Sequence, residues 1–217
     1  MKRWLLITLL FHSLAFAQGL QFLNPLSLDL RTFPPPPAEG SPEDKADQGA
    51  VLAWQILRSP YQCERAAYEA NGYASTFFSV PYGPLSPAAM ERVSPFIERI
   101  YLDIKYFVRM VKVIYIRKRP AERDPSIIPC IEPHPSTSYP SGHGVTAYVV
   151  ARVLALIYPE SAHLLFQRAR EVALDREIGG VHFSSDSRAA ELLGEKIFTA
   201  LLNSPGFNDE IKKLRAR

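Results

Sequence analysis

Proline punctuates this chain, and its placement restricts what can fold. The sequence holds 19 prolines in 217 residues. Several follow a serine, at Ser41-Pro42, Ser59-Pro60, Ser86-Pro87 and Ser94-Pro95. A serine hydroxyl can accept from an unpaired first-turn amide, and proline suits the first helical position, where no N–H is required. Each pair therefore marks a helix start. The acids Glu43 and Asp44 strengthen the first, at the positive end of the helix dipole. Helices are expected from Ser41 to about Arg58 and from Ser59 to Ala70, where Asn71-Gly72 breaks the chain. Another opens at Ser86 and is restarted at Ser94. From Phe96 on, Ile97, Ile100, Tyr101, Ile104, Phe107, Val108 and Val111 recur at helical spacing, with Glu98, Arg99, Asp103, Lys105 and Arg109 between them. Arg119-Pro120 is expected to end that helix, because a residue before proline avoids the α region.

Residues 119–139 read as a loop holding Pro120, Pro125, Pro129, Pro133 and Pro135, long for a compact domain unless it has a task. Three helices are expected beyond it, at 141–158, 161–178 and 184–202, with Gly179-Gly180 as the stop between the last two. Pro34 to Pro37 should form polyproline II. No β-alternation and no internal repeat stands out. The expectation is an all-α helical bundle: one domain over 41–217, preceded by an irregular Pro-rich arm over 18–40.

The first residues read as an export signal, with basic Lys2 and Arg3, an apolar run from Trp4 to Phe16, and the small-x-small site Ala15-Phe16-Ala17. The run is too short to span a bilayer comfortably. Cleavage after Ala17 would leave 200 residues and lower the formal charge from +3 to about +1. That charge is no footprint for nucleic acid. Tyr148 to Phe166 is apolar but interrupted by Arg152, Pro159, Glu160 and His163, so no stable membrane insertion is expected. A periplasmic protein follows, with assembly into a homo-oligomer left open. Cys63 and Cys130 are the only cysteines. In an oxidising compartment they either form one disulfide or remain two buried thiols.

Three clusters carry chemistry. Ser141-Gly142-His143 opens a helix, where unpaired amides and the dipole favour an anion and glycine lets a ligand approach. The bland alternative is a serine cap beside an incidental histidine. Lys112 precedes Arg119-Pro120 by seven residues, and a guanidinium fork suits phosphate oxygens. Arg117 and Lys118 are basic too, so a solvated basic face is the alternative there. Arg176, His182 and Asp186 form the third. A carboxylate four residues past a histidine can fix its tautomer and leave the other nitrogen to attack. A helix-start acid with a core histidine is the alternative.

Together the clusters read K-x6-RP, PSGH and R-x5-H-x3-D. In that order they resemble the type 2 phosphatidic acid phosphatase superfamily, which includes vanadium haloperoxidases. The PPPP-then-SPE arm and the export signal resemble the class A bacterial non-specific acid phosphatases within it. The resemblance implies a helical bundle of the acid phosphatase and vanadium haloperoxidase type. It implies that His182 is the nucleophile, Asp186 its orienting carboxylate and His143 the general acid. Lys112, Arg119 and Arg176 would hold the non-bridging oxygens, with Ser141 and the Gly142 amide as further phosphate contacts. One position departs from the family pattern: Asp175 stands where serine is usual. A carboxylate there would repel substrate or pair with Arg176, unless it points away.

The implied reaction is hydrolysis of small phosphomonoesters through a phosphohistidine, with broad substrate range and no metal or cofactor. Three basic side chains would supply the positive charge a metal otherwise brings, and His134 and His163 lack partners at metal-ligand spacing. Activity is expected to peak at roughly pH 5–6.5, from the ordinary histidine pKa, with His143 charged in the complex. The rival readings are a lipid-phosphate phosphatase at a membrane surface, a vanadate-dependent haloperoxidase and a non-catalytic phosphate-binding protein.

Overall fold

The structure, a computed structural model, describes residues 19–70, 75–77 and 82–216. The export signal and the Asn71-Gly72 break lie outside them. Eight α-helices are present among the described residues, and no strand. They are α1 (Pro42–Leu57), α2 (Pro60–Ala70), α3 (Pro87–Ile114), α4 (Pro120–Arg123), α5 (Gly142–Ile157), α6 (Ala162–Ile178), α7 (Ser184–Leu202) and α8 (Pro205–Arg215). The architecture is the all-α bundle expected. Among the described residues no helix is long and apolar enough to cross a membrane.

Helix α5 is the axis of the bundle. Residues 144–151 are all buried, as are Val153, Leu154 and Ile157. A helix apolar all round has to be enclosed, and α6, α7, α3 and α8 enclose it. Close approach of α5 to α7 requires Gly144, because a Cβ there would come within 2.9 Å of the Ala190 Cβ. Between α6 and α7 the chain reverses at Gly179 and Gly180, and Gly180 adopts φ +77°. That left-handed conformation is open to glycine at little cost.

Helix α3 differs from expectation at both ends of its second half. It runs unbroken through Pro95. This proline and Glu91, whose carbonyl loses its partner to the missing N–H, are both exposed, so water can serve that carbonyl. The helix also stops at Ile114, five residues before Arg119. Beyond it the chain is extended and pairs with residues 137–138. Arg117 N donates to Thr137 Oγ1 at 2.6 Å, and Ser138 N donates to Arg117 O at 2.9 Å. Arg119-Pro120 thus starts a helix, the short α4, where it was expected to end one.

Helix α8 was not expected at all. Only Phe207, Ile211 and Leu214 of its eleven residues are buried. Its position comes from packing on α3, α5 and α7.

The N-terminal arm is built into the bundle. Asp103 of α3 accepts from the amides of Gln21, Phe22 and Leu23 at 2.6, 3.0 and 3.2 Å. Phe22 lies edge-on to Phe96 and Phe207. Further along, Tyr115 and Tyr139 donate their hydroxyls to the carbonyls of Phe33 and Pro34.

Cys63 of α2 and Cys130 of the loop are joined in a disulfide. The 67-residue separation makes the closed loop long, and constraint of the unfolded chain then contributes about 4 kcal/mol. Replacing both cysteines by alanine should lower Tm by about 10 °C. Thermal unfolding of the double variant beside the wild type, and of the wild type with and without reductant, measures this. An unchanged Tm would show that α2 is held without the bond.

Candidate active site

A cavity of about 430 Å³ opens between α3, α5, the 119–139 loop and the α6–α7 turn. Lys112, Arg119, Gly142, His143, Arg176 and His182 all line it. Residues spread over 71 positions of sequence thus meet at one wall. Ser141 and Asp186 stand behind that wall, both fully buried. Ser141 Oγ accepts from Gly144 N at 3.3 Å as the cap of α5, so its hydroxyl serves the helix in this structure. Its own N–H donates to Asp186 O at 3.2 Å and ties α5 to α7.

The turn after α6 presents His182, which is 3% exposed. Nδ1 lies 3.2 Å from Asp186 Oδ2, and Nε2 lies 3.3 Å from Arg119 Nη1. An ionised carboxylate can only accept and a guanidinium can only donate. The proton is therefore on Nδ1, and the Nε2 lone pair faces the Arg119 side of the cavity. Arg119 is fixed by donating to Val181 O at 2.7 Å and to Ser136 O at 2.9 Å. Arg176 donates to Ala66 O at 3.1 Å, and Lys112 donates to Thr137 O. His143 Nε2 lies 3.3 Å from Ala70 O at the end of α2. That carbonyl can only accept, so this nitrogen carries a proton.

Burial and crowded positive charge shape the titration. Burial, aided by Arg176, pushes His143 down to about 3. Burial likewise pulls His182 far below the ordinary histidine range, Arg119 adding to it and Asp186 opposing it. Burial and then Arg119 push Lys112 down to about 7. For Asp186 burial works upward. The hydrogen bond from His182, with the charges of His182 and Arg117, outweighs it and holds the carboxyl below its usual value. In the empty cavity both imidazoles are neutral at mildly acidic pH. His143 was expected to be charged in a complex, so any such charge has to arrive with the ligand.

Asp175 does not pair with Arg176. It is fully buried and makes a bidentate ion pair with Arg65 of α2, both contacts at 2.6 Å. Nearby, Arg168 binds Glu69, whose carboxyl is pushed up to about 8 by burial and then by Asp175. The departure from serine at this position thus fastens α2, whose carbonyls meet Arg176 and His143, to α6.

Sequence reasoning missed Arg117 here, and with it the site contacts of Asp47 and Asp44. Arg117, set aside as part of a basic face, is buried and donates to Asp186 Oδ1 at 2.7 Å. Its other nitrogen reaches Asp47 and Asp44 of α1 at 2.9 and 3.3 Å. The available signal was period-two alternation. Ile116 and Lys118 are exposed while Arg117 and Arg119 are buried, as an extended segment requires. Expecting the helix to run on to Arg119 hid that alternation. Among the described residues, no group of three or more His, Cys, Asp or Glu side chains is arranged to hold a metal ion.

This helical bundle, with its cationic cavity behind a helix N-terminus, belongs to the PAP2 superfamily, which residues 100–209 match. The chain is 28% identical over 196 residues to a non-specific acid phosphatase of Providencia stuartii, covering 86% of this chain and 79% of that protein. It is 27% identical to a non-specific acid phosphatase of Salmonella typhi, covering 84% and 76%. In structure it resembles the transmembrane PAP2 type phosphatidylglycerolphosphate phosphatase of Bacillus subtilis. The TM-score is 0.57 at 20% identity, over 94% of this chain and 96% of the other, a likeness of fold.

Phosphate binding should take up protons. Lys112 is partly neutral near pH 7 when the cavity is empty, and a bound dianion favours its charged form. The same field raises His143. Calorimetric titration with inorganic phosphate at about pH 7.5, in buffers of differing ionisation enthalpy, should show net uptake. Proton release on binding would contradict the depressed Lys112.

Proposed function

We propose that this protein is an exported acid phosphatase that hydrolyses small phosphomonoesters through a phosphohistidine on His182, without a metal. That it is a phosphatase follows from its family and from the relatives just described. Export rests on the basic start, apolar run and Ala15-Phe16-Ala17 site of the sequence. The observation that carries the mechanism is the pairing of His182. Nδ1–H is committed to Asp186, and the Nε2 lone pair faces a cavity walled by Lys112, Arg119 and Arg176.

A phosphoryl group enters with its non-bridging oxygens on these three cations and the Gly142 amide. They replace each other's repulsion with attraction to the phosphate and stabilise charge as it develops. Their combined charge supports a route without a metal. Nε2 attacks phosphorus, the P–O bond to the alcohol breaks, and the alcohol leaves with a proton from His143. Water then attacks phosphorus, His143 takes its proton, and phosphate departs.

His143 is neutral in the empty cavity, so the proton has to come with the substrate. A phosphomonoester near pH 5 is mostly monoanionic, because its second ionisation lies near ~6. It delivers one proton to the site and becomes the dianion that keeps His143 charged. An optimum below neutrality follows from the ligand. With alkyl phosphates whose second ionisations differ, the alkaline limb of kcat/KM should move with the substrate. A limb that stays in place across substrates would assign it to the enzyme.

Rapid quenching with a radiolabelled phosphomonoester should trap acid-labile, base-stable label on His182, and His182→Ala should abolish turnover. His143→Ala should lose far more activity on alkyl phosphates than on p-nitrophenyl phosphate, whose leaving group needs no proton. Label on a serine or aspartate would refute the mechanism. Turnover should survive EDTA, and vanadate should inhibit competitively, as a five-coordinate mimic of the transferred group.

A further inference from the structure

Arg117 does not line the cavity, yet it is tied to the reacting histidine through one carboxylate. Its guanidinium is 6% exposed and lies 4.2 Å from the centre of the Phe183 ring. Nη1 donates to Asp186 Oδ1 and to Ser185 Oγ, both at 2.7 Å. Nη2 is held by Asp47 and Asp44 of α1. The other oxygen of Asp186, Oδ2, faces His182 Nδ1 and accepts from Phe183 N at 2.9 Å. The two oxygens are thus divided, one to Arg117 and one to the nucleophile.

We infer that Arg117 is a positioning residue for the second step of the reaction: by holding Asp186 as a carboxylate it keeps the Nδ1 proton on His182 and makes the phosphohistidine labile. The inference rests on the phosphohistidine reading above.

After the first step the ring carries a phosphoryl group on Nε2 and a proton on Nδ1, and is cationic. When water attacks phosphorus, the Nε2–P bond breaks and its electron pair returns to Nε2. A ring that has kept Nδ1–H leaves as neutral imidazole. A ring whose proton has passed to Asp186 would have to leave as imidazolate, a far poorer leaving group. Asp186 and Nδ1 compete for this proton across one hydrogen bond. The positive charge of Arg117 makes the carboxylate the weaker competitor, and its grip on Oδ1 stops the carboxylate from turning. Asp44 and Asp47 hold the guanidinium from behind, and Arg123 shares Asp44 with it.

The effect should appear in one step only. In Arg117→Gln, dephosphorylation should slow, so kcat falls ~10–100-fold, by analogy with the loss when the hydrogen-bond partner behind a metal-bound histidine is removed. KM should fall with it, leaving kcat/KM close to wild type, and the phosphoenzyme trapped by rapid quenching should rise. Arg117→Lys keeps the charge but cannot span Asp47 and Asp186, so it should lie between the two. A guanidinium that only joins α1 to α7 would lower Tm and the fraction of active enzyme without changing the trapped fraction per active site. That result, or an equal loss in kcat and kcat/KM, overturns the proposal. If Arg117→Gln does not fold, Arg117→Lys decides: more trapped phosphoenzyme than wild type supports the role, and an equal amount overturns it. Wild type that traps no label on His182 overturns the phosphohistidine reading itself, and the proposal falls with it.

Discussion

Lys112, Arg119 and Arg176 surround one cavity, each largely removed from water, and their mutual repulsion has to be restrained by the rest of the fold. Buried charge without a partner is expensive. Carbonyls supply part of the restraint: Thr137 for Lys112, Ser136 and Val181 for Arg119, Ala66 for Arg176. Carbonyl dipoles help to hold the cations in place. Burial lowers Lys112, Arg119 and both imidazoles, and neighbouring positive charge adds to it for Lys112, His143 and His182. An anion is the component that relieves this arrangement, so affinity for phosphate and the protonation of the site are one property.

Glu132 of the 119–139 loop lines the cavity, but the carboxylates paired with the site's basic side chains sit one layer further out. Asp186 faces the cavity only through His182. Asp44 and Asp47 reach it only through Arg117, and Asp175 is turned aside onto Arg65. Acids placed against the three cations would oppose an anionic substrate. Placed behind basic side chains, they orient those side chains and leave the field at the wall positive. The same pairs fasten helices: Arg117 joins α1 to α7, and Arg65 with Asp175 joins α2 to α6. In this protein the electrostatics of the site and the packing of the outer helices are therefore the same contacts.

The arm and the disulfide work on the scaffold that carries the cations. Tyr139, next to the start of α5, donates to the arm at Pro34, and the disulfide pins the loop of Arg119 to α2. These segments have few regular hydrogen bonds of their own. A covalent bond and a few side-chain clamps replace the ladder that a helix would supply.

Local sequence determined much of this protein. The Ser-Pro starts, the Ser141 cap and the Gly179-Gly180 stop placed α1, α2, α5, α6 and α7 within a residue or two, because caps and breakers act over a single turn. The three spaced motifs named the residues that meet in the cavity, since Lys112, His143 and His182 carry recognisable chemistry at fixed separations. Tertiary structure decided the rest. Helix α3 passes Pro95 because its free carbonyl faces water, and it stops at Ile114 because residues 137–138, distant in sequence, compete for its backbone. Helix α8 exists because a groove is there to receive three apolar side chains. The partners of Asp175 and Arg117 lie on helices 110 and 69 residues away in sequence. Charge pairing is set by distance in space, which no local pattern of residues encodes.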